Sequence, residues 1–194
     1  MKILSKKGFL GQKEKYLKLI LNGAVFIYPT DTIYGIGCDA KNSRAVRKIR
    51  ELKKRPTNPF SIIAPSKKWI SETCILDQEA KKWLKKLPGP YTLILKLKQD
   101  KNNKKCIAKE VNAGSGLIGV RIPKNWFSDI AKKAGVPIVT TSVNEAGKQF
   151  MISEKDVNPD IAEGVDFIIY EGEKAGKPST LIDLSGKNAV MKKR

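Results

Sequence analysis

The chain has 194 residues, 41% of them apolar and 29% charged, a balance that is typical of one globular domain with a real hydrophobic core. Lysine and arginine number 38 against 19 for aspartate and glutamate, so the formal charge is +19. This excess indicates an anionic partner (nucleic acid, a phosphorylated small molecule or an acidic membrane surface) or simply a lysine-rich surface. Histidine is absent, which excludes a Ser-His-Asp triad, a Cys-His pair and a histidine-ligated zinc site.

The cysteines and the apolar runs indicate the compartment. Cys38, Cys74 and Cys106 are too far apart in sequence for a Cys-x-x-Cys motif, and an odd, sparse set is typical of a reducing compartment. The longest apolar run, Ala24–Tyr28, is far too short to span a membrane, and residues 1–10 contain no hydrophobic signal core. We therefore expect a soluble, cytoplasmic protein.

Apolar periodicity and Gly/Pro punctuation predict an alternation of helices and strands along the chain. The predicted helices are Gln12–Leu21, one that begins at Asn42 or Ser43 and ends before Pro56, Gln78–Leu87 and Trp126–Ala134. The predicted strands are Ala24–Tyr28, Ser61–Ala64, Tyr91–Leu97, Leu117–Ile122, Pro137–Thr141, Asp166–Tyr170 and Thr180–Leu184. Because some strands follow others directly, we expect an α/β sheet of mixed strand direction, with Lys101–Lys109 as a basic loop.

One glycine-rich segment has the spacing of a dinucleotide-binding motif. Gly114, Gly116 and Gly119 match Gly-x-Gly-x-x-Gly, but the genuine motif follows a strand and opens a helix. Here the glycines follow the basic loop and run into a predicted strand, so a turn is favoured over a nucleotide site. The sequence also contains no Gly-x-x-x-x-Gly-Lys-[Ser/Thr] phosphate loop.

Polar segments come directly after two predicted strands, where ligands bind in open α/β sheets. Pro29–Gly37 offers two threonine hydroxyls and two glycines, and Thr140–Asn144 offers three hydroxyls and an amide. Ser179 and Thr180 form a weaker hydroxyl cluster before the last predicted strand. Each segment alone fits a turn or a helix cap equally well, so only the combination favours a binding site.

Basic residues supply the charge that such a site requires. Lys53 and Arg55 lie in Lys-Lys-Arg-Pro at a helix C-terminus, where each cation stabilises the helix by roughly 0.3–1 kcal/mol, but they would also form a phosphate clamp. Arg121 lies within the apolar stretch Leu117–Ile122, and a buried charge needs an anionic partner. That partner is either a carboxylate of the protein or a carboxylate or phosphate of a substrate.

Six segments, in order, resemble the Sua5/YciO/YrdC family from Ala24 to about Leu184. They are Pro-Thr-Asp-Thr at 29–32 with Tyr-Gly-Ile-Gly after it, Lys-x-Arg-Pro at 53–56, Pro-Gly-Pro-Tyr-Thr at 88–92, Val-Arg-Ile-Pro at 120–123, Thr-Thr-Ser-Val-Asn at 140–144 and Pro-Ser-Thr at 178–180. The resemblance implies one YrdC-like domain over 1–194, with a twisted open sheet of mixed parallel and antiparallel strands, flanking helices and a concave basic surface.

The resemblance also implies an L-threonylcarbamoyladenylate synthase, a nucleotidyltransferase that makes threonylcarbamoyl-AMP and pyrophosphate from L-threonine, bicarbonate or CO2, and ATP with Mg²⁺. A downstream tRNA threonylcarbamoyl transferase, which uses the product for t6A at tRNA position 37, is then an expected partner, and weak RNA or tRNA binding is expected. By family match the catalytic cations are Lys53 and Arg55, the ATP-binding residues are Lys53, Arg55, Thr57, Ser142, Asn144 and Ser179, and the threonine-binding residues are Thr30, Thr32, Arg121 and Thr140. The protein is expected to supply no metal ligand, because the nucleotide phosphates would hold Mg²⁺.

Two departures from the family pattern bear on these assignments. The family usually has three residues between the proline of Lys-x-Arg-Pro and the next proline, whereas only Thr57 and Asn58 intervene here, which affects the placement of Thr57. The chain also ends at Arg194, without the C-terminal domain of longer members. Two alternatives stay open: an RNA-binding module without catalysis, and a relative that handles another carbamoyl or acyl adenylate.

Overall fold

The computed structural model describes residues 2–99, 106–186 and 188–192. The helices are α1 (Lys6–Gly11), α2 (Lys13–Leu21), α3 (Ser43–Leu52), α4 (Lys67–Thr73), α5 (Gln78–Lys85), α6 (Lys109–Asn112), α7 (Phe127–Ala134) and α8 (Pro159–Gly164). The strands are β1 (Lys2–Ser5), β2 (Phe26–Pro29), β3 (Tyr34–Gly37), β4 (Ser61–Ile63), β5 (Tyr91–Lys96), β6 (Leu117–Arg121), β7 (Ile138–Ser142), β8 (Phe167–Tyr170), β9 (Thr180–Asp183) and β10 (Val190–Lys192).

The strands of the described residues form one sheet in the order β1-β8-β2-β3-β7-β4-β6-β5-β9-β10. Four neighbouring pairs are parallel, namely β1–β8, β8–β2, β4–β6 and β5–β9. The other five pairs are antiparallel. The predicted α/β sheet of mixed strand direction is therefore confirmed.

Hydrophobic packing differs between the two faces of the sheet, because side chains alternate along each strand. On one face Ile27 and Ile62 pack in a core with residues of α3, α4, α5 and α8. On the other face Phe26, Tyr28 and Ile63 pack in a core with residues of α1, α2 and α7. We call this second face the α7 face. The helices thus flank the sheet on both sides, as expected.

The segment after β2 differs from its prediction. The sequence indicates a polar turn over Pro29–Gly37, whereas its last four residues form β3, which pairs with β2 as an antiparallel hairpin. Glycine is depleted in strands, so the pattern of residues does not reveal β3. A Cβ added to Gly37 would lie 2.1 Å from the carbonyl oxygen of Val139, so the close approach of β3 to β7 requires glycine at this position.

The other predicted helices and strands are present with small differences in their bounds. Six short elements of three to seven residues were not predicted, namely β1, α1, α4, α6, α8 and β10, because such lengths show no periodicity. Gly114 and Gly116 have φ values of +73° and +71° and lead into β6, so the segment is a turn before a strand, as predicted. In the basic loop, Lys109 begins α6, and residues 101–105 lie outside the described residues. Across the described part of the chain, no helix is long and apolar enough to cross a membrane.

The connection from β8 to β9, residues 171–179, crosses most of the sheet, and we call it the strap. β8 and β9 run parallel and stand seven strand positions apart, which is about 34 Å at roughly 4.8 Å per position. The ten residue steps from Tyr170 to Thr180 span at most about 36 Å. Because β8 and β9 are parallel, the strap must also run back along the length of a strand, from the end of β8 to the start of β9. Its residues can cover this distance only if the strap is extended and the sheet curls toward it.

Candidate active site

A row of small polar residues crosses the α7 face of the sheet. Thr140 of β7 pairs with Ser61 of β4, and Ser61 pairs with Gly119 of β6. Paired residues project from the same face, so the two hydroxyls lie side by side next to a glycine. Ile63 and Ile138, two residues further along the same strands, belong to the α7-face core. The sequence predicts a site at strand ends, whereas this row lies on the face of the sheet. The difference arises because the register between the strands decides which residues lie side by side.

Two glycines leave space for a cavity on this face. A Cβ added to Gly119 would lie 2.6 Å from Ser61 Oγ and 3.2 Å from Thr92 Cγ2. A Cβ added to Gly35 would lie 3.4 Å from Thr140 Oγ1. The cavity has a volume of about 140 Å³, which suits a small polar ligand. It is lined by Thr30, Ile33, Tyr34, Gly35, Ser61, Thr92, Arg121, Thr140, Thr141, Ser142, Pro178 and Ser179.

The strap borders this cavity. The Tyr34 hydroxyl donates to the carbonyl oxygen of Gly172 at 2.6 Å, which holds the start of the strap. A Cβ added to Gly176 would lie 2.2 Å from the carbonyl oxygen of Thr32, so the middle of the strap packs directly on the backbone after β2. At the end of the strap, Ser179 lines the cavity. The strap is therefore a wall of the site as well as a connection.

Arg121, at the end of β6, is 5% exposed and has a partner on only part of its guanidinium. Its Nη2 donates to Asp31 Oδ1 at 2.5 Å and to Thr32 Oγ1 at 3.4 Å, and Asp31 Oδ2 accepts from the backbone N–H of Lys124 at 2.9 Å. Burial lowers the pKa of Arg121, and the Asp31 carboxylate opposes this shift. Nε is buried and has no hydrogen-bond partner among the described residues. A protein carboxylate is thus one partner of Arg121, and no described residue accepts from its Nε or Nη1.

The threonine hydroxyls at the turn after β2 order one another. Thr30 Oγ1 accepts from the backbone N–H of Thr32 at 3.1 Å and donates to the carbonyl oxygen of Ile33 at 2.7 Å. A hydroxyl has one proton, so in the 3.0 Å contact between the two side chains Thr32 is the donor. Thr32 Oγ1 then accepts from Arg121. The Thr30 hydroxyl is fully used, and it shapes the turn that carries Asp31 to Arg121.

Lys53, which directly follows the last residue of α3, holds the segment after β7. Its Nζ donates to the carbonyl oxygens of Ser142 at 2.5 Å and Asn144 at 2.6 Å, and to Asn144 Oδ1 at 3.1 Å. Ser142 Oγ donates to the same Oδ1 at 2.6 Å. Lys53 is 1% exposed; burial, and then the positive charge of Arg55, lower its pKa to about 7. The three oxygens take all three ammonium hydrogens, so none is left for a ligand. Lys53 therefore affects a ligand indirectly, by holding the Ser142–Asn144 segment and through its own positive charge.

Arg55 and Thr57 lie in the connection from α3 to β4, outside the cavity lining. Arg55 Nη2 donates to the carbonyl oxygen of Pro59 at 2.7 Å, and its guanidinium carbon lies 5.3 Å from the centre of the Phe60 ring. Thr57 is exposed to solvent. Both residues therefore lie outside the set that a ligand inside the cavity would contact.

The predicted site residues thus fall into three groups. Thr30, Arg121, Thr140, Ser142 and Ser179 line the cavity; Thr32, Lys53 and Asn144 bind residues that line it; Arg55 and Thr57 lie outside it. Sequence reasoning missed Asp31 as the Arg121 partner, Tyr34 as the strap contact, and the lining hydroxyls of Ser61 and Thr92. The sequence does contain a signal for Ser61 and Thr92, because each is a polar residue in a predicted strand whose other residues are mainly apolar.

Comparisons with known proteins bear on this arrangement. A Methanocaldococcus jannaschii protein, provisionally named threonylcarbamoyl-AMP synthase, is 38% identical over 170 residues, which cover 86% of this chain and 77% of that protein. The structure of P. abyssi Sua5 complexed with L-threonine matches with a TM-score of 0.84 and 27% identity over 98% of this chain. This chain spans only 56% of that Sua5 chain. E. coli YciO shares the fold, with a TM-score of 0.83 and 23% identity over 100% of this chain and 94% of YciO.

The comparison with protein families gives the same result. The Sua5/YciO/YrdC family model, whose description reads "Telomere recombination", matches residues 18–193. This match covers far more than half of the chain, and it includes every residue of the cavity lining. The chain belongs to the Sua5/YciO/YrdC family.

Proposed function

We propose that this chain is an L-threonylcarbamoyladenylate synthase, which forms threonylcarbamoyl-AMP and pyrophosphate from L-threonine, bicarbonate or CO2, and ATP. The observation that carries the proposal is the buried guanidinium of Arg121 at a cavity lined by hydroxyls, where no described residue accepts from its Nε or Nη1. A ligand carboxylate would complete its hydrogen bonds. The L-threonine complex of P. abyssi Sua5 and the name of the M. jannaschii relative support threonine and this reaction.

Within this proposal the cavity holds the amino acid and orders its groups. The threonine carboxylate binds Arg121, and its hydroxyl and amine meet hydroxyls such as those of Thr140 and Ser61. The strap forms one wall of the cavity, and contacts that are shielded from water there are strengthened. Thr30 and Thr32 contribute by holding Asp31 and Arg121 in place.

The reaction needs positioning and charge neutralisation more than a side-chain base. The neutral threonine amine attacks the bicarbonate carbon and a new C–N bond forms. The C–OH bond of bicarbonate then breaks, and the hydroxyl leaves as water with a proton from the amine nitrogen to give the carbamate. A carbamate oxygen then attacks the α-phosphorus of ATP, and the bond from that phosphorus to the pyrophosphate oxygen breaks. A chain without histidine can catalyse both steps, because each leaving group departs without a proton from the protein.

Negative charge on the leaving pyrophosphate is the main electrostatic demand. In this proposal Arg55 and Thr57, on the exposed loop, bind the phosphates, and Ser142, Asn144 and Ser179 bind the rest of the nucleotide. Lys53 supports this by holding the Ser142–Asn144 segment. The cavity lining contains no carboxylate, and both oxygens of Asp31 are engaged, so Mg²⁺ would be held by the nucleotide phosphates. When bound, Mg²⁺ would supply further charge neutralisation.

A pyrophosphate-release assay with a panel of amino acids tests the proposal. We expect ATP-dependent pyrophosphate release with L-threonine and bicarbonate, and slower release with L-serine. With L-valine the rate should fall by roughly a hundredfold or more. Valine has the shape of threonine without the hydroxyl, so it would leave polar groups of the cavity unpaired. Release that is independent of the amino acid, or no release at all, would contradict the proposal. A different preferred amino acid would indicate a relative with another substrate.

The net charge of +19 favours a second function, weak binding of RNA, beside catalysis. In this proposal the product passes to a tRNA threonylcarbamoyl transferase in the cytoplasm for t6A at position 37. If RNA binding were the main function, the chain would bind RNA tightly and release no pyrophosphate.

A further inference from the structure

One buried arginine of α3, Arg50, ties down the loop that carries Arg55 and Thr57. Its Nη1 donates to the carbonyl oxygens of Arg55 at 2.8 Å, Pro56 at 3.0 Å and Asn58 at 3.2 Å. Its Nε donates to the carbonyl oxygen of Glu110 at 2.8 Å. Arg50 is only 9% exposed. A single guanidinium thus joins the loop to the start of α6.

These bonds give the loop an orientation. The carbonyl oxygens of Arg55, Pro56 and Asn58 all point toward Arg50. In a trans peptide the N–H points opposite to the C=O, so the N–H of Thr57 points away from Arg50. These three acceptors of the loop are therefore turned inward, and the Thr57 N–H is turned the other way. An outward N–H two residues from the Arg55 cation favours an anion.

The neighbouring ring and the loop length make this arrangement dependent on arginine. The guanidinium carbon of Arg50 lies 4.5 Å from the centre of the Phe60 ring, and that of Arg55 lies 5.3 Å from the same centre. Only Thr57 and Asn58 separate Pro56 from the next proline, so the loop is short. Lysine is a point charge on a flexible stem, and it cannot stack on a ring and meet carbonyls on two segments with a rigid fork.

We propose that Arg50 is a positioning residue for the ATP phosphates, which acts by fixing Arg55 and the Thr57 N–H in an anion-binding arrangement. This inference rests on the proposed function and deepens it. Arg50 itself touches no substrate, because its donors are occupied by main-chain oxygens. The role differs from that of Arg121, which serves the amino acid.

The test is steady-state kinetics of Arg50→Lys in the pyrophosphate assay, with direct titration of ATP by calorimetry. We expect the KM and Kd for ATP to rise about tenfold or more, while the KM for threonine stays within about twofold. The matched control is Arg47→Lys, one turn earlier on α3. Arg47 is 55% exposed and bonds the Glu110 side chain, and none of its hydrogen bonds goes to the loop. The control should leave both KM values unchanged.

Distinct outcomes separate this inference from the proposed function. If the wild-type chain binds ATP and releases pyrophosphate, but Arg50→Lys binds ATP equally well or loses threonine and ATP affinity equally, Arg50 has no positioning role. If the wild-type chain neither binds ATP nor releases pyrophosphate, the proposed function fails first. Should circular dichroism show that Arg50→Lys is unfolded, Arg50→Gln takes its place with the same expected difference. If neither variant folds, Arg50 serves stability alone and the inference is rejected.

Discussion

Arg121 combines an internal ion pair with a donor that the protein leaves unsatisfied. The sequence leaves its partner open between a protein carboxylate and a substrate, and Asp31 satisfies only Nη2. A buried unsatisfied donor costs roughly 1–3 kcal/mol. Such a cost at a cavity wall is expected where a ligand removes it. The pair with Asp31 then fixes the direction of the guanidinium before the ligand arrives.

We predict that Arg121→Lys weakens threonine binding at least about tenfold and leaves ATP binding nearly unchanged. Charge-assisted hydrogen bonds contribute roughly 1.5–3 kcal/mol, and lysine cannot bind Asp31 and a ligand carboxylate with one planar group. Calorimetric titration of each ligand measures both effects. Equal losses for the two ligands would indicate that Arg121 serves only the internal ion pair.

Asp31→Asn is the control that separates these roles. The amide keeps the shape of the carboxylate and one acceptor, but it removes the charge that holds Arg121. If the ion pair only stabilises the fold, Arg121→Lys and Asp31→Asn should lower the melting temperature by a similar amount. Neither variant should then weaken threonine binding more than ATP binding.

The strap is the element that distinguishes this site from an open sheet face. Its length leaves little slack between β8 and β9, and it contacts the turn after β2 at Gly176. A displacement of the strap at this contact therefore opens the cavity wall that contains Ser179.

We predict that Gly176→Ala lowers kcat/KM for threonine by roughly 5- to 150-fold. The new Cβ would lie 2.2 Å from the Thr32 carbonyl oxygen, and overpacking of this kind costs about 1–3 kcal/mol. The matched control is Gly186→Ala, where the nearest atom to the added Cβ is 4.0 Å away. Wild-type kinetics for Gly176→Ala, or an equal loss in the control, would show that the strap does not shape the site.

The sequence predicts the elements well and their arrangement poorly. Helices such as α3 and α7 and strands such as β5 and β6 have patterns of burial that periodicity can detect. The register that puts Thr140, Ser61 and Gly119 in one row depends on pairing between residues far apart in the chain. Local patterns carry no information on that pairing. Resemblance thus predicted the site residues that were assigned on the motifs, whereas the register that brings Ser61 and Thr92 to the cavity, and the strap contacts, came only from the structure.

The whole molecule carries a formal charge of +19, and the cavity needs only a few of these charges. The rest produce a positive field that attracts polyanions at long range. Binding of this kind releases counterions from phosphates, so it weakens steeply with salt and reads no sequence. Under the proposed function, this excess charge would favour encounters with RNA and would take no part in the reaction at Arg121.

We predict weak, sequence-independent RNA binding whose affinity falls linearly with salt on a double-logarithmic plot. Replacing Lys101, Lys104 and Lys105 by alanine should flatten that slope by about two to three units if each contacts a phosphate. These lysines lie outside the described residues, so this prediction rests on the sequence alone. The control replaces Lys81, Lys82 and Lys85 of α5, which removes the same charge elsewhere. Fluorescence anisotropy over a salt series measures the slopes, and pyrophosphate release should survive in both variants. An equal change in both slopes would show that the net charge acts as a whole and that the Lys101–Lys109 segment has no special part.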